Sequence, residues 1–333
     1  MIPRPYHLFL GDVADEPHAK TAFGIRDWLP DEAVGQARLP GCGVDLGLDE
    51  LTPAEAVARG ARSMLIGVAP VGGQLPPAWV PSLLAALEAG LDLVSGLHTR
   101  LADIPELAAA AARLDRRLHD VRRPDREFPV ASGRKRSGKR LLTVGTDCAL
   151  GKKYAALAIA RALRAAGIAA DFRATGQTGI MIAGQGVAID AVVADFIAGA
   201  AETLSPDAAD DHWDVIEGQG ALFHPAYAGV TLGLLHGSQP DALVLCHDPL
   251  RTTVSAYPDY PLPSLATAME RYVEAARLTN PAARFVGVSF NTSRMQPQAA
   301  ADLMAQVEAE HGLPCFDPLR SDLGALVERV RAL

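Results

Sequence analysis

Short apolar runs alternate with segments of helical spacing along the whole chain. Tyr6-His7-Leu8-Phe9-Leu10, Ser63-Met64-Leu65-Ile66-Gly67-Val68 and Leu91-Asp92-Leu93-Val94-Ser95 are continuous enough to be buried strands. Ala33-Val34-Gly35-Gln36 and Arg117-Leu118-His119-Asp120 are shorter candidates of the same kind, while 79–89 and 105–114 read as helices. Thr52-Pro53-Ala54-Glu55 has the form of a helix start, with Thr52 as cap, Pro53 in the first position and Glu55 placed to reach back. Strands alternating with helices imply a parallel, doubly wound sheet, and ligands of such sheets bind beyond the carboxyl ends of the strands. Here those ends carry Gly11-Asp12, residues 67–73 and Ser95-Gly96-Leu97-His98.

The pattern starts again at Leu141-Leu142-Thr143-Val144. Strands are expected over 169–174, 213–217, 242–246 and 285–290, with a short one near 314–317, and helices over 154–166, 188–203, 230–236, 265–278, 298–311 and 322–332. The fold class is therefore α/β with two doubly wound domains, in keeping with a length of 333 residues. The expected boundaries are 1–125 for the first domain, 126–139 for a basic linker and 140–333 for the second domain. The linker assignment rests on Arg126, Arg134, Lys135, Arg136 and Lys139 among prolines, serines and glycines, a composition that suits exposed chain.

One stretch of the second domain carries recognisable chemistry: Gly145, Thr146, Asp147, Cys148, Ala149, Leu150, Gly151, Lys152 and Lys153 lie between a buried strand and a helix. Glycines let a backbone curl around an anion, the helix N-terminus adds positive potential, and Lys152 supplies a point charge. The stretch departs from the standard phosphate loop twice. Five residues separate Gly145 from Gly151 where four are usual, and Lys153 stands where a magnesium-binding Ser or Thr hydroxyl is expected. The longer spacing resembles that of dethiobiotin-synthetase-like proteins. A second lysine in the first turn opposes the helix dipole, which makes sense for a strongly anionic ligand. Two more strand ends are expected to face ligand: Thr175-Gly176-Gln177-Thr178-Gly179 as a flexible loop, and Glu217 followed by Gly218-Gln219-Gly220. An acid at the second position is where phosphate-loop enzymes hold magnesium, so a nucleotide-dependent ligase or kinase using Mg·ATP is the alternative reading.

Charge and cysteine usage narrow the class. A net charge of −8 argues against a nucleic-acid binder. Cys42, Cys148, Cys246 and Cys315 show no metal-ligand spacing, so no metal is expected and the thiols are read as reduced in a cytoplasmic protein. Neither a signal peptide nor a membrane span is expected. The expected partners are small-molecule substrates and further copies of the chain.

Taken together, His7-Leu8-Phe9-Leu10-Gly11-Asp12, Leu39-Pro40-Gly41-Cys42, Ile66-Gly67-Val68-Ala69-Pro70 with Gly72-Gly73, Val94-Ser95-Gly96-Leu97-His98, the Gly145 to Lys152 loop and Glu217-Gly218-Gln219-Gly220 resemble the D-glutamate N-acetyltransferase family. The resemblance spans most of both domains. It implies a Rossmann-like first domain, a phosphate-loop second domain, and transfer of an acetyl group from acetyl-CoA, as co-substrate, to the amine of D-glutamate. CoA carries a pyrophosphate and a ribose phosphate, which suit two adjacent lysines and need no magnesium hydroxyl. Amine acetylation needs a base and donors for the thioester oxyanion. Candidate bases are Glu217, His224 and Asp147, and backbone N–H groups of 218–220 are candidate oxyanion donors. Gly145, Thr146, Cys148, Ala149, Gly151, Lys152 and Lys153 are expected on the donor. Arg173 and Arg251, with Gln177 and Gln219, are expected on a dicarboxylate acceptor.

Overall fold

In the computed structural model, which describes residues 2–124 and 126–333, the parallel pattern is realised twice. The first sheet is built from β1 (Tyr6–Gly11), β2 (Ala33–Arg38), β3 (Ser63–Ile66), β4 (Asp92–Ser95) and β5 (Leu118–Asp120), with helices α1 (Lys20–Trp28), α2 (Pro53–Ala58), α3 (Val80–Glu88) and α4 (Pro105–Leu114). Its order is β2-β1-β3-β4-β5 and every pairing is parallel. All residues of β1, β3 and β4 are buried, which is why these strands read as unbroken runs. The capping box forms as its residues dictate: Thr52 Oγ1 accepts from the Glu55 N–H at 3.3 Å while the Glu55 carboxylate accepts from the Thr52 N–H at 2.8 Å.

The second sheet begins with β6 (Lys139–Gly145) and α5 (Lys152–Ala165), then β7 (Ala170–Arg173), α6 (Gln177–Ala183), α7 (Ile197–Leu204), β8 (Trp213–Ile216), α8 (Ala228–Ser238) and β9 (Ala242–His247). A hairpin of β10 (Thr253–Val254) and β11 (Tyr257–Pro261) follows, then α9 (Leu265–Arg277), β12 (Arg284–Phe290), α10 (Pro297–His311), β13 (Cys315–Phe316) and α11 (Gly324–Arg331). The order is β13-β12-β9-β6-β8-β7, parallel throughout. Leu142 pairs with Ile216 and Gly145 with Cys246, so β6, β8 and β9 end close together and offer Gly145, Glu217 and His247 on one edge.

Three expectations change. Residues 177–188 group with the first unit, 1–125, and not with the second. The stretch expected to be a flexible loop there is the start of α6, whose Ile180, Met181 and Ile182 are buried. Within that unit Tyr6 Oη donates to the Met181 carbonyl at 2.9 Å, and the hydroxyls of Thr21 and Thr178 meet at 2.9 Å. The basic stretch is not an exposed linker throughout: residues 126–139 belong to the second unit, Arg136 among them is buried, and so is Arg140 at the start of the expected second domain. Arg140 donates to Ser205 Oγ and to the carbonyls of Arg136, Ser137 and Pro206, which offsets the cost of burying its charge. The helix expected over 188–203 is shortened to α7, preceded by two single turns, because Val193 takes an extended conformation with ψ 138°.

His7, inside β1, is fully buried, and neither ring nitrogen makes a hydrogen bond of normal geometry among the described residues. Burial pushes its pKa down, against a smaller upward pull from the backbone of Gln36 and Leu51. The folded protein therefore holds His7 neutral where an unfolded chain would take up a proton. The stability this contributes is present above the ordinary histidine value of about 6.5 and is lost as pH falls below it, by up to about 1.4 kcal/mol per pH unit. His7→Leu should flatten the loss of stability between about pH 6.5 and pH 5 in denaturant titrations. An unchanged slope contradicts a neutral buried imidazole.

Candidate active site

The loop after β6 is held in shape by its own polar groups. Ala149 (φ 53°) and Gly151 (φ 106°) both take left-handed backbone, so the chain reverses twice before α5 starts. Lys152 is 7 % exposed and its Nζ donates to the Asp147 carbonyl at 2.8 Å. Burial pushes its pKa down, while Cys148, Cys246, Asp147 and Glu217 pull it back up. Gly218 is required beside it: a Cβ there would sit 1.7 Å from the Thr143 carbonyl oxygen and 3.0 Å from Lys152 Cδ. Thr143 Oγ1 accepts from the Gly218 N–H at 3.0 Å and donates to the Lys152 carbonyl at 3.1 Å, tying β6, α5 and the end of β8 together. Lys153 places its ammonium 5.1 Å from the Tyr154 ring centroid.

Asp147 and Arg251, separately expected to be a base and an acceptor clamp, are each other's partners. The Asp147 carboxylate is fully buried. One oxygen accepts from the Cys148 N–H at 2.6 Å, and the other from Arg251 Nη1 and the Ser255 N–H, both at 2.8 Å. Arg251 also donates to the Cys148 carbonyl at 2.7 Å. This pair braces the loop, and three donors already occupy the carboxylate. His224 is buried beside it: a ring nitrogen of His224, Cys148 Sγ and an Asp147 carboxylate oxygen lie within 4.8 Å of one another. Arg251 already neutralises the acid, so this donor set suits a second cation poorly. His224 Nδ1 accepts from the Ala226 N–H at 3.1 Å, which makes Nε2 the donor of the neutral ring. The ring stacks on Tyr227 and meets Tyr257 edge-on. Burial pushes the Cys148 thiol up, which leaves it a poor nucleophile.

Glu217 differs from Asp147. It is 4 % exposed, and one carboxylate oxygen accepts from the N–H groups of Thr175 and Gly176 at 3.0 and 3.1 Å. Burial raises its pKa to about 6, against the opposing pull of Lys153 and those two hydrogen bonds. Gln219 Nε2 donates to Thr175 Oγ1 at 3.2 Å in the same cluster. Arg173 is committed elsewhere, to Asp214 at 2.7 Å and Asp171 at 3.3 Å. Gln177 opens α6 and lies in the first unit. The N–H of Gly218, an expected oxyanion donor, is already given to Thr143.

Sequence reasoning missed two supports. Tyr272 on α9 donates to the Gly145 carbonyl at 2.8 Å and accepts from the Leu222 N–H at 3.1 Å. His247 Nδ1 lies 2.9 Å from Thr146 Oγ1. The β9 apolar run signals where His247 emerges, but nothing local marks Tyr272.

Comparison with known proteins agrees with this architecture. Residues 129–327 match a family described as "Domain of unknown function (DUF1611_C) P-loop domain", and residues 37–124 match "Domain of unknown function (DUF1611_N) Rossmann-like domain". A protein of Tritonibacter scottomollicae named D-glutamate N-acetyltransferase is 53 % identical over 100 % of both chains. One of the same name from a Pseudoalteromonas species is 47 % identical over 98 % of both. A crystal structure of a DUF1611 family protein from Anabaena variabilis superposes with a TM-score of 0.87 at 33 % identity, over 99 % of this chain and 100 % of that one.

If Arg251 braces the loop, Arg251→Ala leaves a buried carboxylate without its counter-charge. The expected loss is about 2–3 kcal/mol, less than for a fully buried pair because Arg251 keeps part of its side chain in water. That corresponds to a melting temperature lower by about 4–10 °C. A variant that melts like the wild type but has a raised acceptor KM would return Arg251 to the substrate.

Proposed function

The chain belongs to the DUF1611 family, and from that premise we propose that it transfers the acetyl group of acetyl-CoA to the amine of D-glutamate, giving N-acetyl-D-glutamate. It is an acyltransferase with a Rossmann-like N-terminal domain and a P-loop C-terminal domain. The observation that carries the reading is identity of 53 % and 47 %, over nearly the whole chain, to two proteins named for that activity. The loop supports acetyl-CoA as the donor: two consecutive lysines at a helix N-terminus favour the phosphates of CoA, and a lysine replaces the hydroxyl a magnesium nucleotide would use. The nucleotide-dependent ligase or kinase is accordingly not favoured.

In this reading the D-glutamate nitrogen attacks the thioester carbonyl. A C–N bond forms, the C–S bond breaks, and CoA leaves as thiolate while the nitrogen loses a proton. Glu217 takes that proton: its raised pKa makes it a better acceptor than an ordinary carboxylate and still leaves it ionised at neutral pH. In this reading the Nε2–H of His224 is the donor for the developing oxyanion. Asp147 and Arg251 hold the loop and stay out of the proton transfer. Among the described residues no helix is long and apolar enough to cross a membrane.

Purified protein given acetyl-CoA and D-glutamate should release free thiol in step with N-acetyl-D-glutamate, without added metal. Phosphate release from Mg·ATP in place of thiol release overturns the reading. With Glu217 as the base, kcat/KM should fall as pH drops through about 6, where the carboxylate becomes protonated. Glu217→Gln should lower kcat by roughly 10²–10⁴ and abolish that acid limb. An acid limb that survives in the variant assigns the base elsewhere.

A further inference from the structure

Among the described residues, two aromatic side chains count as exposed large hydrophobics: Tyr227, 51 % exposed, and Tyr260, 50 % exposed. Both belong to one series of touching rings in the second unit. Tyr227 stacks on His224 with centroids 4.4 Å apart, His224 meets Tyr257 edge-on at 5.2 Å, and Tyr257 meets Tyr260 edge-on at 5.9 Å. Single hydrophobic residues scattered over a surface need no explanation, but a contiguous set of rings that ends in water at both ends marks a surface that receives something. Tyrosine suits a contact that is apolar along the ring and wet at the hydroxyl.

The rings are tied to the 145–153 loop from two sides. Tyr257 and Tyr260 stand on the β10–β11 hairpin, a two-stranded piece outside both parallel sheets. So small a hairpin is marginal alone. The Asp147 carboxylate anchors it, accepting from the Ser255 N–H within the hairpin and from Arg251 on the chain that leads into it. Tyr227 immediately precedes α8, in the segment that begins after β8. That segment gives the Leu222 N–H to Tyr272 Oη, and the same hydroxyl holds the Gly145 carbonyl. A ligand seated on the loop therefore has these rings as a fixed neighbour.

Charge decides which part of a CoA thioester suits them. Residues 252–262 contain no lysine or arginine and one acid, Asp259, so the hairpin favours neither the diphosphate nor the ribose phosphate. The neutral parts of the molecule are the adenine and the pantetheine arm. His224 lies within the ring series, between Tyr227 and Tyr257, and in the acetyltransferase reading its Nε2–H is the oxyanion donor. The part of the ligand that passes these rings is then the part joined to the thioester.

We propose that Tyr227 and Tyr257, with Tyr260 at the outer end, form the wall that receives the pantetheine arm of acetyl-CoA. The ring series and its attachment to the loop stand on the geometry of the second unit alone. The identity of the arm rests on the acetyltransferase reading.

The test is calorimetric titration of the full chain with two probes, CoA and 3′-phospho-ADP, which is CoA without its arm. Tyr227→Ala and Tyr257→Ala should each weaken CoA binding about tenfold, while 3′-phospho-ADP binds both variants as it binds the wild type. Tyr227 is half-exposed, so its truncation leaves the fold standing, and retained binding of 3′-phospho-ADP checks this in both variants. Tyr227→Phe and Tyr257→Phe keep the ring and should restore most of the affinity for CoA. Rings that only hold His224 in place would lower kcat and leave CoA affinity alone, so unchanged CoA affinity in both alanine variants overturns the proposal. Equal weakening of the two probes in the Tyr227→Ala variant also overturns it, because it puts the rings on the adenine. Failure of the underlying reading appears in the wild type instead, as absent CoA binding and absent thiol release.

Discussion

A buried ammonium at the end of β6 sets the terms for everything around it. Lys152 is almost withdrawn from water, and its Nζ rests on the carbonyl of Asp147 in the same loop. A cation in that position needs negative potential on every side. The Asp147 carbonyl supplies the nearest part, and the carboxylates of Asp147 and Glu217 the rest. Close approach requires Gly218 without a side chain and Thr143 as a polar joint between β6, α5 and the end of β8. The loop is kept from collapsing by the Asp147–Arg251 pair, and it is tied to α9 through Tyr272.

The two carboxylates of the site are separated by these surroundings. Asp147 is surrounded by donors and works as a brace. Glu217 is buried with weaker compensation and has its pKa raised to about 6. Acid groups in one site that differ in this way can hold structure and move a proton without competing. His224, its tautomer set by the Ala226 N–H, complements them as a donor.

Much of this was legible in the chain. The strand–loop–helix context of 145–153, the Thr52 capping box and the parallel alternation rest on contacts between near neighbours, which local pattern records directly. The Asp147–Arg251 pair joins residues 104 apart, and no periodicity reports a partner at that distance. Arg136 misled for a related reason: a basic, proline- and serine-rich stretch suits solvent, but here the backbone carbonyls of Gly237 and Ser238 receive the Arg136 guanidinium. Gln177 and Thr178 look like loop residues, and the buried face that makes α6 a helix lies against the first unit, far away in sequence. The hairpin after β9 turns at Ala256 with φ 66°, where local rules expect glycine or asparagine. Arg173 was read from its position at a strand end, yet the neighbouring strand holds Asp214 directly in its reach.

The central claim is that the 145–153 loop holds the phosphates of CoA through Lys152 and the α5 N-terminus, with no metal. A crystal structure of the protein with CoA, grown in the presence of a chelator, tests it most directly. The account predicts phosphate oxygens on the loop N–H groups, with Lys152 Nζ turned from the Asp147 carbonyl to the ligand and the Asp147–Arg251 pair intact. Density for CoA away from this loop, or a loop that accepts only a magnesium nucleotide, contradicts it.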